Sequence, residues 1–137
     1  MQKSTTYNIL NSLVSTAKTT GVENIFLLNR PNVTKEMVEF VVIDLPTDQY
    51  RAVKGNDDFI VKTDGVFYIG VKAKSDNTPN ISKQTTLVQK FLDLFPINDD
   101  YIVASEPTVL LKGSDKSGFQ ITTISFSIRT KINSYKL

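Results

Sequence analysis

The sequence predicts an α+β fold, in which an antiparallel sheet carries two helices packed on one face. Two segments repeat apolar residues at helical spacing, and their stripes are equally wide, as expected if one shared sheet face covers both. The segments between and after them are rich in β-branched and aromatic residues, as strands are. We expect the order α-β-β-β-α-β-β in a single domain of residues 1–137.

The first helix is predicted over residues 6–19. Ser4, Thr5 and Thr6 are candidate N-caps. One apolar stripe follows, made of Ile9, Leu10, Leu13, Val14 and Ala17. Gly21 is a suitable C-terminal stop, because glycine accepts the left-handed conformation that often ends a helix.

Several strand segments are predicted between the helices. Residues 25–28 and 37–45 form the first two, and Pro46 ends the second. The polar segment Pro46–Asp58 is expected to be a loop. Phe59–Lys62 then turns at Asp64-Gly65, a good hairpin dipeptide, into the strand Gly65–Lys74.

The strand Gly65–Lys74 has two unlike faces. Phe67, Ile69 and Val71 share an apolar face that suits a core. The other face begins with Val66 and Tyr68 and ends in lysines. Two interpretations of this second face stay open: a contact with another subunit, or a small hydrophobic cluster within the monomer beneath the Pro46–Asp58 loop.

The second helix and a long hairpin complete the chain. Asn80 is the expected N-cap, and Pro96 cannot continue the helix. The strand Tyr101–Lys112 is interrupted at Pro107, which predicts a bulge or an edge position. In the last strand, Phe119–Ile132, the apolar residues change parity, which predicts either a bulge near Thr122 or a change of buried face.

Composition excludes much chemistry. The chain has no Cys and no His, which removes disulfides, the usual zinc sites, thiol nucleophiles and imidazole bases. A net charge of +2 is too balanced to indicate a polyanion partner. No apolar run is long enough for a signal peptide or a transmembrane helix, so we expect a cytoplasmic site of synthesis and no membrane partner.

The remaining motifs favour structural interpretations. Two Asn-Asp-Asp clusters, at residues 56–58 and 98–100, are expected to make turns and not to hold metal. No phosphate loop is present. Lys54, Lys62, Lys72 and Lys74 could form a basic patch with Tyr68, but mixed solvated charge is the simpler interpretation. We therefore expect no catalytic residues, no metal and no cofactor.

The element order resembles the tail-completion, tail-terminator and neck proteins of tailed bacteriophages. The resemblance is carried by an amphipathic N-terminal helix before "FVVIDL", by "VFYIGVKAKS" leading into the helix "KQTTLVQKFLDLF", and by a closing hairpin that ends in "ITTISFSIRT". Scarce Arg beside plentiful Lys, Ile and Asn also suits an AT-rich genome such as those of crAss-like phages.

This resemblance implies a structural virion protein without enzymatic activity. Copies would form a ring at the portal–tail junction, with double-stranded DNA passing through the lumen and the portal and neighbouring tail or neck rings stacked on it. Twelve copies would match a portal, which we favour, and six would match a tail. The expected subunit contacts are Tyr50, Arg51 and Lys54 in the Pro46–Asp58 loop, and Val66 and Tyr68 on the second face.

Two other function classes stay open. A small nucleic-acid-binding α+β module is the alternative, because double-stranded-RNA-binding domains share the α-β-β-β-α order; however, the second helix begins with a single cation, Lys83. A small enzyme using a carboxylate or a Tyr ranks last, because His and Cys are absent.

Overall fold

The computed structural model describes residues 6–28, 37–45, 51–54, 59–115 and 117–130, with the backbone alone for residues 6–8, 51–54 and 59–61. The elements are α1 (Thr6–Lys18), β1 (Ile25–Leu27), β2 (Glu39–Asp44), β3 (Arg51–Lys54), β4 (Phe59–Lys72), α2 (Ile81–Leu92), β5 (Ile97–Asn98), β6 (Ile102–Ser114) and β7 (Phe119–Thr130). The α+β class is confirmed. The order of elements along the chain differs from the predicted α-β-β-β-α-β-β, because four strands precede α2 and three follow it.

The described strands form one sheet in the order β1-β2-β4-β7-β6-β5, and β3 pairs with the first part of β4. Every pair is antiparallel except β1 with β2, which run parallel with Ile25 opposite Val41. The prediction of a wholly antiparallel sheet is therefore wrong at this edge. Residues 51–54, predicted as part of a loop, form the strand β3.

The predicted hairpin turn at Asp64-Gly65 is also wrong. The strand β4 runs without interruption through both residues and pairs with β7 from Lys62 opposite Arg129 to Lys72 opposite Phe119. Gly65 is needed for packing and not for a turn. A Cβ at this position would come within 2.6 Å of the Phe126 ring and 2.8 Å of Ile128.

Both helices pack on the same face of the sheet, here called the helix face. The helix-face side chains of β2, β4 and β7 join those of α1 and α2 in one core. Phe67 lies near its centre, with ring centroids 5.0 Å from Phe91 of α2 and 4.8 Å from Phe126 of β7. The fully buried members include Ile9, Leu13, Ile43, Phe67, Ile69, Phe91, Ile102, Ile124 and Ile128.

The helix ends follow their predicted signals. The Asn80 side chain accepts a hydrogen bond from the Lys83 N–H at 3.3 Å and caps α2, as predicted. The helix α2 ends at Leu92, before Pro96. Beyond α1, Gly21 adopts a φ of 79°, which only glycine accepts without strain.

The long hairpin of β6 and β7 contains both predicted irregularities. The pairing of β6 shifts register between Ser105 and Thr108, so a bulge lies at Glu106-Pro107, and Glu106 has a φ of 60°. The parity change in β7 is a change of buried face. Its pairing with β4 is continuous, so Phe119 lies on the face opposite the helices while Ile124 lies in the main core.

Candidate functional site

The face of the sheet opposite the helices, here called the second face, carries its own hydrophobic cluster, here called the second cluster. Phe40, Val42 and Phe119 are buried there, and four partly buried side chains pack against them: Phe26, Met37, Tyr68 and Ile121. Tyr68 thus contacts a cluster within the monomer, which is one of the two interpretations left open by the sequence. Whether the Pro46–Asp58 segment covers it concerns residues largely outside those described.

One glycine makes this cluster fit. Gly70 pairs with Phe40 across β4 and β2, and the Phe40 ring lies where a Cβ of residue 70 would stand. The ring then meets Phe119 edge-on, with centroids 5.1 Å apart, and Phe26 at 6.4 Å. The edge-to-face pair of Phe40 and Phe119 stabilises the cluster beyond the buried area alone. The sequence did not predict this pair, because only the strand register brings Phe40 beside Gly70.

The cluster does not fill the second face completely. A shallow depression of about 360 Å³ remains beside it. Its lining is mainly apolar and includes two carboxylates, Asp44 and Asp115. The apolar lining consists of Leu28, Phe40, Val42, Ile121 and the Tyr68 ring. An open and mainly apolar depression of this kind suits a contact surface.

Four of the five predicted contact residues lie within the described strands, at two places in the sheet. Tyr50 lies outside the described residues. Arg51 and Lys54 begin and end β3, which pairs with residues 59–62 of β4. Val66 and Tyr68 lie further along β4, with Tyr68 six residues, or about 20 Å of strand, beyond Lys62. Val66 is partly buried and pairs with Asp44.

The sequence reasoning missed the most exposed apolar surface of the sheet. In β6, Val109, Leu110 and Leu111 are 41%, 52% and 74% exposed. The short strand β5 covers only Val103 and Ala104 of this edge, and no other described strand pairs with it. The sequence indicated only that this apolar segment lies just after Pro107, for which either a bulge or an edge position was expected.

The opposite edge of the sheet is apolar as well. The three-residue strand β1 pairs on one side with β2 and with no other described strand. Leu27 and Leu28 at its end are 41% and 51% exposed. Two different sheet edges therefore expose large aliphatic side chains.

A second open cleft, of about 370 Å³, lies between the end of α1 and the start of α2. Its central carboxylate is Glu39, which is bound on both oxygens. Lys83 Nζ lies 3.4 Å from Glu39 Oε1, and the Glu23 N–H donates to Glu39 Oε2 at 3.2 Å. These bonds join α2, β2 and the α1–β1 connection, so Glu39 acts as a structural clamp here.

The Asn98-Asp99-Asp100 cluster makes a turn, as predicted. Asp99 Oδ1 accepts hydrogen bonds from the N–H groups of Tyr101 at 2.8 Å and Ile102 at 2.9 Å. Within the described ranges, no group of three or more His, Cys, Asp or Glu side chains could hold a metal ion. The other cluster, residues 56–58, lies outside those ranges.

The candidate basic patch is dispersed. Lys62 and Lys72 are both exposed on β4 and share the second face, but ten residues of strand, about 33 Å, separate them. Tyr68 packs against the second cluster and does not stand free as a stacking platform.

Comparison with known proteins gives no match, either to a protein-family model or to a curated protein. In the part of the chain that the structure describes, neither helix is long and apolar enough to cross a membrane.

Proposed function

We propose that this chain is a structural virion protein, one subunit of a homo-oligomeric ring at the portal–tail junction of a tailed bacteriophage. Double-stranded DNA passes through the lumen without sequence-specific contacts, and the portal and adjacent neck or tail rings stack on either side. Twelve copies are favoured, with six as the alternative. The particle assembles in the cytoplasm of the bacterial host, and the subunit has no enzymatic activity of its own.

The observation that supports a ring best is the pair of unlike apolar edges on one sheet. A subunit in a cyclic ring needs two different contact surfaces, because each copy meets its neighbours head to tail. The Val109–Leu111 segment lies at one edge and Leu27-Leu28 at the other. An exposed apolar edge strand favours association with another chain, and proteins that function alone usually blunt such edges with charge or cover.

The second face gives additional support. The apolar depression beside Tyr68 offers a surface for a partner above or below the ring. Its two carboxylates, Asp44 and Asp115, would favour a partner that presents basic side chains there. Two helices on one sheet face and a long closing hairpin are also what the resemblance to phage neck and tail proteins implies, although the structure has more strands than the predicted order.

Native mass spectrometry tests this proposal. The protein would be measured alone and after co-expression with the products of the neighbouring genes. We expect the 15.3 kDa chain to be monomeric or weakly associated alone, and to form a complex of twelve or six copies with its partners. A chain that remains a monomer with every neighbouring product, and that is missing from purified particles, would rule out the ring.

A further inference from the structure

Beyond the part of β6 that pairs with β5, the outer edge of β6 pairs with no described strand. This edge includes a short regular segment between two irregularities. Register shifts occur between Ser105 and Thr108 and again between Leu111 and Gly113, so residues 108–111 form the regular part. Val109 and Leu111 lie on the helix face, since they pair with Ile124 and Thr122 of β7, and Leu110 lies on the second face. All three side chains are exposed, and no described strand pairs with the backbone edge beside them.

The strand β1 at the other edge has the same division of faces. Ile25 and Leu27 pair with Val41 and Ile43, and therefore lie on the helix face. Phe26 lies on the second face, where it packs against the second cluster. An alignment that keeps the faces continuous must place Val109 and Leu111 beside Ile25 and Leu27.

The directions of the two edge strands are opposite. The strand β1 is parallel to β2, and the steps from β2 to β4, β7 and β6 are each antiparallel. Three reversals leave β6 running against β1. When copies follow one another around an axis without turning over, β6 of one copy therefore meets β1 of the next in the antiparallel orientation.

The charges at the strand ends agree with this orientation. Lys112 follows the apolar segment of β6, and Glu23 precedes β1; both are exposed. Antiparallel pairing brings the basic end of β6 beside the acidic start of β1.

We propose that β6 of one copy pairs with β1 of a second copy of this chain, so that the sheet continues across the subunit boundary. In the aligned register Leu110 stands opposite Phe26, with Val109 opposite Leu27 and Leu111 opposite Ile25. This inference rests on the proposed ring and adds which strands join, in which direction and in which register. Main-chain hydrogen bonds supply the contact, and the matching apolar side chains on each face fix the register.

Disulfide trapping tests the register, because the chain has no cysteine of its own. The double variant Val109→Cys/Leu27→Cys joins two exposed positions that would face each other at a separation a disulfide can bridge. The matched control Leu110→Cys/Leu27→Cys places the two thiols on opposite faces. Each single variant controls for pairing of like edges, and circular dichroism confirms that every variant folds.

We expect mild oxidation of co-expressed complexes to give a ladder of cross-linked multimers from the first double variant and monomers from the control and single variants. A disulfide dimer from Val109→Cys alone would overturn the inference, because it would show two β6 edges together. Rings seen by electron microscopy without a ladder would overturn the strand pairing and leave the ring itself intact. A ladder without any ring in particles would support the pairing and refute the proposed function, and the absence of both would refute both.

A charge at the edge provides an independent check. Leu111→Lys should reduce complex formation, while Ile81→Lys, at a 66% exposed position at the start of α2, should not. Equal assembly of the two variants would contradict a role for the β6 edge.

Discussion

Adding one methyl group at Gly70 should disrupt the second cluster. The backbone of Gly70 lies outside the left-handed region, so Gly70→Ala brings no dihedral strain. Its Cβ would overlap Cε2 and Cζ of Phe40 and come within 2.9 Å of Cδ2. The Phe40 ring is 1% exposed and is held against Phe119, so it cannot move away without losing those contacts.

The expected cost follows from overpacking. Forcing an extra carbon into a packed core costs about 1–3 kcal/mol, and Gly→Ala in a strand otherwise stabilises by about 0.5–1 kcal/mol. Because several atoms of the Phe40 ring overlap the added carbon, the cost should lie in the upper part of that range, about 2–3 kcal/mol, and we expect Gly70→Ala to lower the free energy of unfolding by about 1–2.5 kcal/mol in total. In a Phe40→Ala background the overlap is removed, so the same change should become neutral or slightly stabilising.

Urea unfolding followed by far-ultraviolet circular dichroism measures this double-mutant cycle. Gly118→Ala is the matched control. It meets nothing within 4 Å but has a φ of 84°, so its cost should be the same with and without Phe40. A cost below about 0.5 kcal/mol for Gly70→Ala, or an equal cost in both backgrounds, would refute the packing described for this face.

Three further outcomes are expected. Phe91→Ala should cost about 3–5 kcal/mol of unfolding free energy, because the ring is fully buried against Phe67. The control Ile81→Ala, on the same helix, should cost less than about 0.5 kcal/mol. A loss under about 1 kcal/mol for Phe91→Ala would mean that α2 does not belong to the core. Asp99→Ala should lower stability by about 1 kcal/mol through two lost acceptor bonds, and a rise in melting temperature on adding Ca²⁺ to the unaltered protein would argue against a purely structural turn. The Thr78 hydroxyl and N–H donate to Asp76 and hold the pKa of its carboxyl below the ordinary value. The small stabilisation they give is present above the pKa of Asp76 in the unfolded chain and is lost as the pH falls through its pKa in the folded protein. Thr78→Val should raise the pKa of Asp76 measured by NMR, and an unchanged pKa would contradict the hydroxyl hydrogen bond.

Local patterns predicted the parts of the fold that depend on single elements. The stripes of both helices, the Asn80 cap and the bulge at Pro107 each follow from a few neighbouring residues. The parity change in β7 was also visible, although the sequence alone left two explanations. The pairing with β4 decided between them, because a continuous register requires the strand to bury different faces along its length.

Long-range pairing overrode local preference elsewhere. Asp64-Gly65 has the composition of a hairpin turn, yet β4 continues through both residues because it pairs with β7 there. The Phe126 and Ile128 side chains occupy the space beside Gly65 that a larger side chain would need. The parallel direction of β1 has no local signature, since a strand has the same residue pattern whichever way its neighbour runs. The sequence predicted that the apolar segment of β6 is a strand. It did not predict that the segment is exposed, because its exposure depends on where β5 ends.

The symmetry of this chain in an assembled particle tests the central claim most directly. Cryo-electron microscopy of particles, or of the complex with the portal, would locate the 137-residue chain and count its copies. We predict a closed ring of twelve or six copies around the DNA channel, with the sheet continuing from β6 of one copy to β1 of the next. A single copy, or copies that do not touch one another, would contradict the account.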